Sequence, residues 1–223
     1  TAMADQLKKA GKKVAIIPMD TPDRLATAGF DDDAAPGLAV PVACFTTYPT
    51  VWRFIDRLPA GNGREAFFLA SMGGAGGGMQ GPIARALSRK GYRPTGSRLI
   101  AMGANYGGGI PTGDALAAML AKTDRQTRDY ADDLSAGRSR WGKGHLNLVA
   151  TFFAWLGRKR IPFNVFHKIF PIVVDKTKCV GCKLCAEFCP EDNIVMKDDK
   201  AEMENRCQSC QRCVGFCPVG AIG

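Results

Sequence analysis

The 223 residues are 46% hydrophobic and 23% charged, which excludes a disordered or collagen-like chain. Nine cysteines accompany a length ample for a buried core, so they are not needed as disulfide staples; eight of them crowd one short region, which points to metal in a reducing, cytoplasmic compartment. The net charge of +9 is uneven: residues 1–174 carry 23 basic against 13 acidic side chains and residues 175–223 carry 7 against 8, a field that favours acidic proteins, anionic cofactors or membrane surfaces. No nucleic-acid partner is expected.

In chain order, Ala2 to Lys9 is helix-prone and stops at Gly11. Val14-Ala-Ile-Ile17 is a compact apolar run that predicts a buried strand, and Thr21 to Ala35 reads as loop. Gly37 to Val42 predicts a second strand, with Pro41 placed best near its end. Val51, Trp52, Ile55 and Leu58 form a helical stripe that ends at Pro59. Ala66 to Ala70 is a third strand and runs into the Gly-rich loop Ser71 to Gly78. Ile83 and Leu87 mark a helix that stops at Gly91, and Arg98 to Met102 is a fourth strand leading into Gly103 to Gly109. Asp114 to about Ser135 predicts a long helix capped by Thr112 or Asp114. Nearly continuous apolar strands alternating with helices imply a parallel sheet covered on both faces. Gly-rich loops at two strand ends lie where open α/β sheets bind ligands.

Residues 1–136 thus form an α/β domain, 137–173 a partly helical linker, and 174–223 a small third region. From Leu134 to Val174 there is no acidic residue but seven basic ones: Arg138, Arg140, Lys143, Arg158, Lys159, Arg160 and Lys168. Leu146, Val149, Phe153 and Leu156 fall on one helical face. This segment reads as a helix packed between domains, as an interfacial membrane contact through residues 138–168, or as the site of an acidic protein partner. Neither of its apolar stretches approaches the ~20 residues of a bilayer span.

The third region holds two identical frames. Cys179, Cys182, Cys185 and Cys189-Pro190 are followed by Cys207, Cys210, Cys213 and Cys217-Pro218, each C-x₂-C-x₂-C-x₃-C-P, at an offset of 28 residues. Three cysteines at i, i+3 and i+6 suit three corners of a cubane iron–sulfur cluster. The fourth must come from elsewhere, and in two-cluster proteins the last cysteine of each run serves the other cluster. The expected ligand sets are therefore Cys179, Cys182, Cys185 and Cys217 for one [4Fe-4S] cluster, and Cys207, Cys210, Cys213 and Cys189 for the other. Zinc is the competing reading, but structural zinc sites pair short knuckles from distant segments. Gly181 and Gly215 are expected to let backbone lie close to sulfide, and Ile194 and Ile222 to pack symmetrically between the clusters. Cys44, the ninth cysteine, reads as a buried inert thiol.

Residues Val174 to Gly223 resemble a bacterial-type 2[4Fe-4S] ferredoxin. Thr1-Ala-Met-Ala is similar to the end of a flavodoxin phosphate loop, Val40-Pro-Val42 and Ser71-Met-Gly-Gly74 sit at that family's flavin-ring loops, and Asn105-Tyr106 is a recurrent pair there. The whole chain resembles flavodoxin–ferredoxin fusion proteins. That resemblance implies a flavodoxin-like sheet whose first strand is missing here. It also implies FMN, with Thr1 at the phosphate, and Ala43 to Tyr48 and Ser71, Gly73 and Gly74 flanking the ring. Such a protein would pass single electrons between two [4Fe-4S] clusters and FMN or an external acceptor, with a redox protein as partner. Alternatives are a ferredoxin-type carrier with a flavin-free docking domain and a membrane-surface reductase.

Overall fold

The computed structural model describes residues 2–19, 33–74, 78–103, 111–142 and 147–223. Thr1 and residues 20–32, 75–77, 104–110 and 143–146 lie outside the described residues, and with them Asn105-Tyr106 and most of the expected loop from Thr21 to Ala35.

Three parallel strands, β1 (Gly37–Pro41), β2 (Glu65–Met72) and β3 (Arg93–Ala101), pair in sequential order. β2 is central, so its side chains are claimed on both faces, alternating with the pleat. Ala66, Phe68 and Ala70 point into a core made with α2 (Pro49–Arg57) and α3 (Gln80–Arg89), where Trp52, Ile55, Ile83 and Leu87 are buried. Phe67 and Leu69 point the other way, against Met3 and Leu7 of α1 (Ala2–Lys9) and Tyr130, Ala131 and Leu134 of α4 (Gly113–Ser135). The Tyr130 hydroxyl donates to the Phe68 carbonyl at 3.1 Å. Both faces are covered, as the apolar strands implied.

Pro49 opens α2 at a position where its missing N–H costs nothing. β3 begins five residues earlier than expected: Thr95 is extra opposite the Ala66–Phe67 step, a bulge next to Pro94, which has no N–H to donate. Thr112 occupies the N-cap position of α4, but its side chain makes no capping bond.

Val14 to Ile17 is not a strand. Ile16 is 60% exposed, and only Ile17 and Met19 lean on the core. A strand needs a hydrogen-bonded neighbour, and among the described residues β1 pairs with β2 alone. Among the described residues the parallel sheet therefore holds three strands.

The linker is two helices, α5 (Asn147–Arg158) and α6 (Ile161–Ile169). α5 packs on α3 through its small residues: Ala150, Ala154 and Gly157 are buried, while Val149 is 49% exposed and Phe153 and Leu156 are only half-buried. The expected face of large side chains is thus packed only in part: Phe153 lies against Phe45, while Val149 faces outward. A Cβ on Gly157 would lie 2.7 Å from Thr46 Cγ2.

Residues 172–223 form a separate core of Ile172, Cys185, Ile194, Ala201, Cys207, Cys213 and Ile222. It holds α7 (Leu184–Glu187), an antiparallel hairpin of β4 (Ile194–Lys197) and β5 (Lys200–Met203), and α8 (Arg212–Phe216). Asp198 and Asp199, both at positive φ, make the two-residue turn between β4 and β5.

Candidate metal centres

The cysteine repeat is repeated in three dimensions. Positions 28 apart share left-handed backbone: Gly181 and Ser209 (φ 70 and 53), Lys183 and Gln211 (66 and 57), Asp192 and Gly220 (47 and 59). Such residues followed by a helical turn aim successive N–H groups into one concavity, which suits an anionic cluster. Gly181 is required twice over, since a Cβ there would also lie 2.5 Å from the Asp199 carbonyl oxygen. No protein atom crowds a Cβ at Gly215. Phe188 and Phe216, again 28 apart, stack at 4.5 Å between the halves.

Cys179, Cys182, Cys185 and Cys217 line one cavity. Cys189, Cys207, Cys210 and Cys213 line a second. Each cavity takes three cysteines from one frame and the fourth from the other. Ile222 borders the first and Ile194 the second. The fourth cysteines are held alike: Asn193 N–H donates to Cys189 Sγ at 3.3 Å and Ala221 N–H to Cys217 Sγ at 3.2 Å, again 28 residues apart. Among the described residues, no three His, Cys, Asp or Glu side chains come close enough to share a single metal ion. The thiols ring wider voids, as the four separate corners of a cubane require and a tetrahedral zinc does not. The residues fit a [4Fe-4S] group in each cavity.

Backbone N–H groups of Ala201 and Gly181, helped by Lys200, hold the Cys179 thiol below its ordinary range. Burial pushes Cys185, Cys207 and Cys210 up, and Cys213 to about 12. Ligation requires thiolates, so loading a cluster expels those protons.

The second cavity is pinned to the α/β part. Glu191, its side chain only 6% exposed, takes 2.5 Å ion pairs from Arg53 of α2 and from Arg160 between α5 and α6. Arg160 also donates to the Arg206 carbonyl, and Gln208 Oε1 accepts from Thr50 N–H at 3.5 Å. Sequence reasoning missed Glu191 and Gln208. The available signal was departure from the repeat: their counterparts 28 residues away are Val219 and Val180.

The residues expected around a flavin ring are placed differently. Ala43 and Thr46 close a tight turn through two mutual backbone bonds of 2.9 Å, with Cys44 and Phe45 left-handed at its tip. Thr46 and Thr47 are fully buried, and the Phe45 and Tyr48 rings lie tilted against Phe153 of α5 and Phe163 of α6, in the stretch expected to flank a flavin ring. Ser71, next to last in β2, is half-buried, and Gly73 and Gly74 are exposed. Cys44 is half-buried, not buried, and burial raises its thiol.

Residues 178–221 match the 4Fe-4S dicluster domain family (Fer4_7). Over 44 residues the chain is 41% identical to ketoisovalerate oxidoreductase subunit VorD of Pyrococcus abyssi and 39% identical to the same subunit of Pyrococcus horikoshii. Those stretches cover 20% of this chain and 42% of each relative, so the chain spans about two fifths of the length of the curated relatives it matches. No solved structure matches. The C-terminal segment is an iron–sulfur, ferredoxin-type electron-carrier domain. No described helix is long and apolar enough to cross a membrane.

Proposed function

We propose that this chain is a two-cluster electron carrier whose α/β part, residues 1–136, is a docking scaffold, with the linker helices of 137–173 fixing it to the dicluster domain of 174–223. Cys179, Cys182, Cys185 and Cys217 hold the first cluster; Cys207, Cys210, Cys213 and Cys189 hold the second. The observation that carries this is the crossed sharing of eight thiols between two cavities. Each bound cluster supplies a one-electron centre. The protein supplies the thiolates, N–H donors to sulfur, and exclusion of water by Ile194 and Ile222.

The two ends differ in access. Cys182, Val180 and Val219 are exposed around the first cavity, which suits contact with an external redox protein. The second faces the chain's own scaffold. Both relatives are named as subunits of an oxidoreductase, which supports a partner of that kind. Flavin is left out of the proposal because Gly157 of α5 lies against Thr46 and Phe163 of α6 lies against Tyr48. The test is iron, acid-labile sulfide and flavin analysis of anaerobically purified protein. Two four-iron signals without flavin are expected. Stoichiometric FMN overturns the scaffold assignment, and zinc in place of iron and sulfide overturns the carrier assignment.

A further inference from the structure

α5 and α6 present an apolar surface that the described fold does not use. On α5, Leu148 (87% exposed), Val149, Phe152 (56%) and Trp155 (52%) follow one another at helical spacing, with Lys159 continuing the stripe. On α6, Ile161, Val165 and Ile169 (63%) do the same, with Lys168 beside them and Phe170 just beyond. α5 buries alanines and glycine and turns its largest apolar side chains to solvent. A helix built only for the core would be reversed. Contiguous exposed apolar faces of this kind mark interaction sites.

We propose that the outer faces of α5 and α6 dock on the surface of an anionic lipid bilayer. Charge complementarity selects that occupant. The segment from Leu134 to Val174 carries no acidic side chain. A second copy would set lysines against lysines across a two-fold axis, with no carboxylate of this segment to meet them. Aromatic and aliphatic side chains flanked by lysine instead match the acyl–headgroup boundary. Helices of 12 and 9 residues lie on a bilayer and do not cross it. The structure also narrows the cations involved. Arg158 lies 4.4 Å over the Trp52 ring and pairs with Asp56 at 2.7 Å, and Arg160 serves Glu191. Lys159 and Lys168 remain for the headgroups. This goes beyond electron carriage and does not depend on it, since lipid binding is read separately from cluster content.

The test is flotation of the full, cluster-loaded chain with phosphatidylcholine vesicles, with and without phosphatidylglycerol. The chain is expected to float with the anionic vesicles. Phe152→Gln combined with Trp155→Gln should weaken partitioning about tenfold or more, and Lys159→Gln and Lys168→Gln roughly fivefold each. Arg158→Gln should leave it unchanged. Vesicles should shift wild-type tryptophan emission to the blue, and Trp155→Gln should remove the shift. Because these positions are exposed, far-UV dichroism and cluster absorbance should be retained. Absence of flotation overturns the proposal, as does flotation indifferent to Phe152 and Trp155. Self-association abolished by the same substitutions assigns the surface to a second copy and likewise overturns it. So does retention on an acidic protein matrix without any on vesicles.

Discussion

The two cysteine frames are identical in spacing and differ in what surrounds them. Around the first, Val180 is 65% exposed, Val219 is 41% exposed and Cys182 is open to solvent. At the equivalent places of the second stand Gln208, 2% exposed, and Glu191, 8% exposed, both bound to the α/β part. The repeated residues make two like cavities. The residues that break the repeat decide which one looks inward. One cavity is left to an outside partner and the other is tied to the chain's own scaffold.

The strongest way to break this comparison is to remove the crossing cysteines. Cys189→Ala should abolish the second cluster, remove about half the iron and sulfide, and leave the first cluster's signal intact. Cys217→Ala should do the reverse. Iron analysis with electron paramagnetic resonance of the reduced protein decides the matter. Loss of the first cluster from the Cys189 variant would mean that the runs are not crossed.

Glu191 should follow in size. Glu191→Ala leaves Arg53 and Arg160 facing one another without their shared carboxylate. Breaking a largely buried pair costs about 3–5 kcal/mol; the arginines are 39% and 25% exposed, which screens part of this, so about 2–3 kcal/mol is expected. Denaturant titration measures it. Chelator should then strip the second cluster faster than the first, and Val219→Ala should affect neither rate. Equal stripping of both clusters would show that Glu191 does not distinguish the halves.

The turn position shared by the halves is a finer test. Gly181→Ser introduces a side chain at φ 70 against the Asp199 carbonyl, whereas Ser209 already occupies φ 53 in the second frame. The first substitution should cost about 1–3 kcal/mol and impair the first cluster only. Ser209→Gly relieves an unfavourable φ but frees the unfolded chain, so its net effect should stay within about 1 kcal/mol. Thermal unfolding followed by cluster absorbance separates the two.

What was legible beforehand divides along the same line. Cysteine spacing is a local constraint, so the dicluster repeat was readable, and so were strands such as Ala66 to Ala70 and the stripe of Val51, Trp52 and Ile55. Val14 to Ile17 has the composition of a strand but lacks a neighbour to pair with, and pairing is not a local property. On α5 the large residues at helical spacing do not all pack: Phe153 meets Phe45, Val149 is half-exposed, and the buried positions are Ala150, Ala154 and Gly157, the last against Thr46. The link from Glu191 to Arg53 spans 138 residues and leaves no periodic trace, only a broken repeat.

The smallest expected effect isolates the scaffold from the clusters. Tyr130 is buried against β2, and desolvation raises its hydroxyl from an ordinary value near 10 to about 12. The folded state therefore holds this proton more tightly than the unfolded chain does. The sign follows from linkage: the stabilisation is fully present below about pH 10 and is lost as pH rises towards about 12. Tyr130→Phe should cost about 1 kcal/mol at neutral pH, through the lost bond to the Phe68 carbonyl. It should also flatten this alkaline decline relative to wild type, because phenylalanine has no proton to lose. Far-UV unfolding reports the scaffold, and visible absorbance reports the clusters. A change in the far-UV profile with cluster loss unaltered means that scaffold and cluster halves lose stability separately at high pH. A parallel change in both signals means that the Glu191 bridge couples them, so that even the outward-facing cluster depends on how tightly α4 closes over the sheet.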